Sequence, residues 1–212
     1  MMGRMAWLFS RLALAAAFAS AAALAQETAL EIDAAHTKVE FTLSDVLHTV
    51  HGSFALKRGQ MRFDESGKAS GELVVDATSG QSGSETRDRR MHSAVLESAR
   101  YPEIVLRPTR VEGRVAPQGA SQVILHGAFE IHGQAHQIAI PMEVAAEGGQ
   151  FNATGHFAVP YVKWGMKNPS TLFLRVNETV LITIHAQAHP ATATADDQPR
   201  PLEALPAVAR KQ

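Results

Sequence analysis

The feature that most constrains the fold is a strict alternation of apolar and polar side chains in many short runs. In residues 38–43, KVEFTL, the apolar Val39, Phe41 and Leu43 alternate with polar neighbours. A period of two places successive side chains on opposite faces of an extended chain, so this run predicts a half-buried β-strand. The pattern recurs in residues 50–56, 59–64, 70–77, 103–113, 121–131, 136–144, 149–159 and 178–188.

The predicted strands are short, and Gly, Pro, Asn or Asp residues separate them. Such spacing is typical of antiparallel sandwiches and barrels. Eight or nine strands are enough to close a barrel, and closure removes exposed strand edges. The sequence therefore predicts a mainly β fold, a closed antiparallel eight-stranded barrel, whose interior is filled with side chains or holds one small ligand.

The residues on the inward parity of these strands are large and apolar. We predict that they line one cavity, and they are Phe41, Phe54, Phe63, Leu73, Leu106, Phe129, Ile140 and Phe157. Trp164 joins this set from the loop at residues 160–176, where it clusters with Tyr161 and Met166 around a glycine. Large apolar groups in such a loop form either a plug for the core or a lid over a cavity, and the sequence leaves both open.

Both ends of the chain differ in composition from the strand region. Residues 1–25 combine Arg4 and Arg11 with an apolar run and an Ala-Leu-Ala cleavage site, which predicts a secretory signal peptide. Residues 189–212 are rich in proline and lack periodicity, so we expect a disordered tail. Residues 26–188 then form one barrel domain, exported to the periplasm. The chain has no Cys, so neither disulfides nor thiolate chemistry contributes.

Composition also limits the partners. Removing the signal peptide takes two arginines and no acid from a formal charge of −1, which leaves −3. A nucleic-acid-binding protein would favour a basic face, so we expect no nucleic acid partner. We also expect no stable membrane insertion, because no apolar stretch reaches the ~20 residues of a spanning helix.

Motifs for catalysis or metal binding are missing from the sequence. It contains no G-x-S-x-G, P-loop or G-x-G-x-x-G motif, and no HExxH among its ten histidines. His132 and His136 share a parity, and a turn at Gly133 would bring them closer. We expect neither a catalytic residue nor a metal site nor a cofactor, while a His-dependent metal- or cofactor-binding protein remains the alternative.

One charged segment, SETRDRRMHSAVLESARYPEI at 84–104, interrupts the strands. It predicts a helix over residues 85–97, with Ser84 as its N-cap and a thin apolar stripe of Met91, Ala94 and Val95. Such a helix would close one end of the barrel. Its arginines, Arg87, Arg89 and Arg90, then contact either carboxylates of nearby loops or the anionic head group of a ligand at the rim.

Three motifs in order resemble the YceI-like family of exported, lipocalin-like, polyisoprenoid-binding proteins. IDAAHTKVEFTL at 32–43 is similar to the family's first strand. GSETRDRRMHSAVLESARYPEI at 83–104 is similar to its most specific segment, an Arg-Asp pair opening a helix that a Tyr-Pro pair follows. GAFEIHGQAHQIAIPMEV at 127–144 resembles two strands joined at an Ile-His-Gly turn. The resemblance covers about residues 29–188.

The resemblance implies a lipocalin-like barrel with an isoprenoid chain in its apolar interior and no assigned catalytic residue. We therefore expect an exported carrier of an isoprenoid lipid, either a polyprenyl phosphate or an isoprenoid quinone. Whether two barrels pair as a homodimer is left open by the sequence.

Overall fold

The computed structural model describes residues 27–44, 48–171 and 175–191. The predicted signal peptide at 1–25 and the predicted tail from residue 192 onward lie outside the described residues. Within them, no helix has the length and apolar character that crossing a membrane requires.

In these residues the chain forms ten strands. Their bounds are Thr28–Ile32 (β1), Lys38–Ser44 (β2), Thr49–Phe54 (β3), Leu56–Phe63 (β4), Ala69–Asp76 (β5), Glu103–Glu112 (β6), Gly119–Ile131 (β7), Gln134–Glu147 (β8), Gln150–Val159 (β9) and Val180–Pro190 (β10).

The strands form one closed antiparallel barrel, as predicted. Strand order runs β1-β4-β5-β6-β7-β8-β9-β10, and pairing of β10 with β1 closes the ring. Strand β2 continues β1 along the same edge of β10, and β3 pairs with β2. The ten strands therefore make eight positions around the barrel, because the first two positions are each broken into two strands.

The break between β3 and β4 falls at Ala55, inside the run that the alternation predicted as one strand. Its backbone N–H donates to the hydroxyl of Ser79 at 2.8 Å instead of joining a strand ladder. The last strand also extends beyond the predicted boundary at residue 188. His189 and Pro190 pair with Glu31 and Leu30 of β1.

We call the upper end the one where β5 leads into β6 and β9 into β10. The long connections lie there, at residues 77–102 and 160–179. At the lower end the connections are short, such as Gly148 and Gly149 between β8 and β9. Because binding residues are often carried on loops over a rigid scaffold, the end with the long connections is the candidate for a binding site.

The predicted helix occupies the upper connection between β5 and β6. An α-helix, α1, runs from Glu85 to Arg90, and the chain continues as a π-helical turn over Met91–Val95. The helical segment therefore ends two residues before the predicted limit of 97. Ser84 precedes the first helical residue as predicted, but its side chain makes no capping hydrogen bond.

Candidate functional site

The upper connection begins and ends at one point on the barrel rim. Strand β5 ends at Asp76, whose Oδ1 accepts hydrogen bonds from the backbone N–H and the hydroxyl of Thr78 at 2.8 and 2.6 Å. Hydrogen bonds from Thr78 are the largest cause that lowers the pKa of Asp76 below its ordinary value of 3.8. The N–H of Ala77 donates to the carbonyl of Pro102 at 3.0 Å. The two ends of this connection, residues 77–102, which we call the insertion, are thereby held together.

The insertion is also fixed to the edge of β3. Ser53 and Gln81 exchange two backbone hydrogen bonds of 2.9 and 3.0 Å. Gly52 lies beside this contact, where a Cβ atom would meet both the Phe41 ring and the Gln81 carbonyl. Because glycine has no Cβ, the space between β3 and Gln81 stays free, and the insertion can lie directly on the barrel wall.

The first turn of α1 holds the loop that precedes it. Oδ1 of Asp88 accepts hydrogen bonds from the backbone N–H and the hydroxyl of Ser82, at 2.9 and 2.6 Å. Arg87 donates to the same residue, from Nε to the hydroxyl at 3.1 Å and from Nη2 to the carbonyl at 2.8 Å. The Arg-Asp pair of the sequence motif therefore clamps Ser82. The sequence left two partners open for Arg87, a loop carboxylate or a ligand head group, and within the described residues its side-chain hydrogen bonds go to Ser82 instead of to a carboxylate.

A histidine secures the π-helical turn. Nε2 of His92 lies 2.8 Å from the carbonyl oxygen of Gly80, and Nδ1 lies 3.0 Å from the hydroxyl of Ser98. A carbonyl oxygen can only accept, so Nε2 carries the proton and, in the neutral ring, Nδ1 accepts from Ser98. Met91 and Val95 of the predicted stripe are half-buried and pack against the core. The helix therefore covers the barrel end with the face that was predicted.

The loop after β9 completes the upper wall. Tyr161 is buried, and its hydroxyl donates to the carbonyl of Asn177 at 2.7 Å. Burial, with the carboxylate of Glu178 as the second cause, raises the pKa of Tyr161 to about 12. Met166 is buried beside it. Both side chains line the cavity described below, so this part of the loop acts as its wall.

A cavity of about 340 Å³ lies between the barrel wall and these two connections. Nearly all of its lining is hydrocarbon. The lining includes Val39, Phe41 and Leu43 of β2, Leu73 and Val75 of β5, Phe129 and Ile131 of β7, Val180, Ile182 and Ile184 of β10, and Met91, Val95 and Leu96 of the insertion. Its volume falls at the lower end of the ~300–1,000 Å³ range of small-molecule pockets.

The structure brings together six of the nine residues predicted to line a cavity. They are Phe41, Phe54, Leu73, Leu106, Phe129 and Phe157. Two aromatic pairs organise this wall, because the rings of Phe41 and Phe54 and those of Phe129 and Phe157 each lie 5.4 Å apart. Whether these residues touch a ligand stays a prediction.

The other three predicted residues do not line the cavity. Ile140 is fully buried and Phe63 packs in the core, and both lie lower in the barrel, where side chains fill the interior. Their inward parity was read correctly, but parity does not indicate height along the barrel. Trp164 stacks on His136, with ring centroids 4.0 Å apart, and lies 6.0 Å from the ring of Phe129. It supports the wall from behind.

Several lining residues were not assigned to the site from the sequence. Ile182 and Ile184 had the inward parity, and Met91 and Val95 formed the predicted helical stripe. Both pairs of residues could therefore have been assigned to the cavity from their apolar spacing in the sequence. Met166 had only its position in an apolar loop as a signal.

The three predicted rim arginines separate into two groups. Arg87 and Arg90 line the upper end of the cavity together with Ser82 and Thr86. Arg89 does not line it. Its Nη1 lies 3.6 Å from Oε2 of Glu85, one helical turn away.

Histidines do not gather into a metal site in the described part of the chain, where no three His, Asp or Glu side chains are grouped to hold an ion. His132 and His136 both have a buried Nε2 without a hydrogen bond. His132 instead packs on Tyr101, with ring centroids 4.5 Å apart, and lies 3.6 Å from Glu97. Packing against an aromatic ring, stacked for His136 and tilted for His132, therefore accounts for the placement of both imidazoles.

Known proteins were compared with the chain at the level of sequence and of structure. The sequence model of the YceI-like domain matches residues 30–188. No curated protein sequence matches closely enough to count as a relative.

Three solved structures illustrate the structural likeness. Burkholderia cenocepacia BcnA has a TM-score of 0.63 at 17% identity, over 74% of this chain and 98% of that one. A polyisoprenoid binding domain from Saccharophagus degradans, implicated in plant cell wall breakdown, has a TM-score of 0.63 at 15% identity, over 77% and 99%. The Campylobacter jejuni YCEI protein has a TM-score of 0.50 at 12% identity, over 66% and 82%.

These structures share the fold of the barrel at low identity. The match to the family model reaches all ten strands and leaves out only the first two residues of β1 and the last two of β10. This chain belongs to the YceI-like family.

Proposed function

We propose that this protein binds an isoprenoid lipid, a polyprenyl phosphate or an isoprenoid quinone, with the hydrocarbon chain inside the upper cavity. The observation that carries the proposal is the cavity itself, about 340 Å³ lined mainly by Phe, Leu, Ile, Val and Met side chains. Such a wall offers an apolar chain contact with hydrocarbon over most of its surface.

The energetics of burial favour a single-chain lipid. Each buried CH₂ contributes ~0.8 kcal/mol, so a few isoprene units supply substantial affinity without a strong polar anchor. The isoprenoid class is supported by the structural likeness to a domain described as polyisoprenoid binding. It is supported further by the family to which the chain belongs.

The proposed role of the protein is to bind and carry a lipid rather than to catalyse a reaction. No His, Asp, Glu or Lys is among the described residues that line the cavity. The lining tyrosine, Tyr161, already donates its hydroxyl to the carbonyl of Asn177, and its pKa is raised to about 12. General acid–base chemistry needs a titratable group that can exchange a proton with the reacting atoms at hydrogen-bond distance. A carrier, in contrast, needs only a wall that accepts and releases an apolar chain.

The location is part of the same proposal. The predicted signal peptide at residues 1–25 supports export to the periplasm. There, a barrel that shields an isoprenoid chain would carry it through water between two membranes. Retention of the protein in the cytoplasm after fractionation of the cells would overturn this part.

Neighbouring residues of β10 provide a matched test of the cavity. Ile182 lines the cavity and pairs with Phe41 and Phe157, whereas the preceding residue, Leu181, is 45% exposed on the outer face. Ile182→Trp places an indole into the space proposed for the chain. Leu181→Trp adds the same indole to the outside.

We expect Ile182→Trp to weaken binding of an isoprenoid alcohol such as farnesol by tenfold or more. Leu181→Trp should leave binding within about twofold, because surface substitutions away from a site are nearly neutral. Displacement of a fluorescent apolar probe measures both, with thermal unfolding as the check on folding. Equal binding by both variants would place the lipid elsewhere and overturn the proposal.

A further inference from the structure

The polar part of the cavity lining carries charge of one sign only. Arg87 and Arg90 are its only charged residues in the described chain, and the hydroxyl groups of Ser82 and Thr86 lie with them at the upper end. No acidic side chain lines the cavity within the described ranges. The apolar wall therefore ends at a cationic border supplied by α1 and the loop before it.

The two arginines differ in the partners that they already have. The guanidinium of Arg87 donates two hydrogen bonds to Ser82, so it is committed to the fold. The guanidinium of Arg90 has neither a hydrogen bond nor an ion pair with any described residue, although the side chain of Arg89 beside it pairs with Glu85. Arg90 is thus a cationic group at the cavity that remains free to bind.

The position of Arg90 relates it to a bound chain. It is the last residue of α1, and Met91 and Val95, which follow it, line the apolar wall. The helix therefore presents a guanidinium first and hydrocarbon next along one short stretch. This order matches an amphiphile whose tail lies in the cavity and whose head group lies at the border.

We infer that Arg90 binds the anionic head group, a phosphate or a carboxylate, of the lipid that occupies the cavity. A guanidinium offers paired N–H donors that match the oxygens of these anions, and it gains charge-assisted hydrogen bonds. A neutral quinone or alcohol offers no charge to it. The inference rests on the proposed function and narrows its ligand to the anionic members of the class.

Three ligands with one tail separate the contribution of the head group from that of the chain. Farnesyl phosphate, farnesoic acid and farnesol share the same apolar chain and differ in the head group. Arg90→Gln removes the charge and keeps a polar side chain. Arg89→Gln removes a charge one position earlier, from a residue that does not line the cavity, and serves as the control.

We expect Arg90→Gln to weaken binding of farnesyl phosphate by about tenfold or more, the range for a lost hydrogen bond to a charged group. Binding of farnesol should stay within about twofold of wild type. Arg89→Gln should change neither ligand by more than about twofold. Isothermal titration of the delipidated protein gives the dissociation constants, and melting temperatures show that both variants fold.

Comparison of farnesyl phosphate with farnesoic acid identifies which anionic head group Arg90 binds. A larger loss with farnesyl phosphate than with farnesoic acid supports a phosphate head group, and the reverse supports a carboxylate. Equal losses with farnesol and with the anions would mean that Arg90 only shapes the cavity, and would overturn the inference. Equal losses in both variants would overturn it too, as a general effect of charge.

Failure of the inference is distinguishable from failure of the proposed function. If wild type binds farnesol but gains nothing from the phosphate or the carboxylate, only the inference is wrong. If wild type binds none of the three ligands, the proposed function is wrong and the inference falls with it.

Discussion

The cavity limits the length of chain that it can hold, and the limit follows from its dimensions. An apolar cavity of 150 Å³ accommodates benzene, so a cavity about 2.3 times larger, of about 340 Å³, accommodates about 14 carbons. That number corresponds to about three isoprene units of five carbons each.

The depth of the cavity gives a second estimate. On one side of the cavity the lining runs from Thr37, the residue before β2, to Leu43 of β2, a distance of ~20 Å at ~3.3 Å per residue. A strand tilt of ~40° reduces this to a depth of ~15 Å along the barrel. An extended chain advances ~1.2 Å per bond, so 15 Å corresponds to about 12 bonds. At four bonds per unit, the depth again accommodates about three isoprene units.

Affinity for isoprenoid alcohols should therefore rise with chain length and then level off. From geraniol to farnesol we expect at least a tenfold gain, because each buried carbon contributes ~0.8 kcal/mol before the cost of ordering the chain. From geranylgeraniol to solanesol the gain should be less than about threefold. The assay is probe displacement at ligand concentrations below the onset of aggregation.

A steady rise through solanesol would refute this reasoning. It would mean that the lower half of the barrel, where Ile140 is fully buried, opens to admit the chain. A maximum at geraniol would equally contradict it, because the cavity would then be smaller than its walls indicate.

Three further predictions concern the wall and the insertion. Phe129→Asp should lower the free energy of unfolding by more than the ~3–5 kcal/mol of a Phe→Ala change, because it also buries an unpaired carboxylate, and it should reduce lipid retention. A denaturant titration that finds wild-type stability would show that residue 129 does not face the interior. Gly52→Ala should destabilise by ~1–3 kcal/mol in the same titration, because the added methyl group meets the Phe41 ring and the backbone of the insertion, and an unchanged midpoint would contradict this packing. Because the pKa of Asp76 is lowered in the folded chain, its carboxylate stabilises the fold fully above the ordinary value of 3.8, and this stabilisation is lost as pH falls through the lower folded value. Asp76→Asn should therefore flatten the acid side of a plot of melting temperature against pH, whereas a parallel shift of the curve at all pH values would contradict this role.

The barrel itself was predictable from the sequence because period-two alternation depends only on which face of a strand is buried. Phe41, Phe129 and Phe157 follow that rule and line the cavity. The same rule placed Phe63 and Ile140 with them, although they fill the lower half. Height along the barrel depends on strand register, which alternation does not encode.

The insertion was predictable in its existence and its apolar face, but not in its contacts. Met91 and Val95 cover the cavity as their spacing indicated. The partner of Arg87 is the backbone and hydroxyl of Ser82, five residues earlier, and nothing in the composition of the segment distinguishes this partner from a carboxylate. Such a clamp depends on the course of the loop between residues 77 and 84, which no periodic pattern describes.

The central claim is that the upper cavity holds an isoprenoid chain. The most direct measurement is organic extraction of the protein, purified without detergent from cells that export it, followed by mass spectrometry of the extract. Ile182→Trp, purified in parallel, serves as the reference. We predict an isoprenoid lipid at close to one molecule per wild-type chain and its depletion from the variant. An extract without isoprenoid, or the same lipids in equal amounts from both proteins, would contradict the claim.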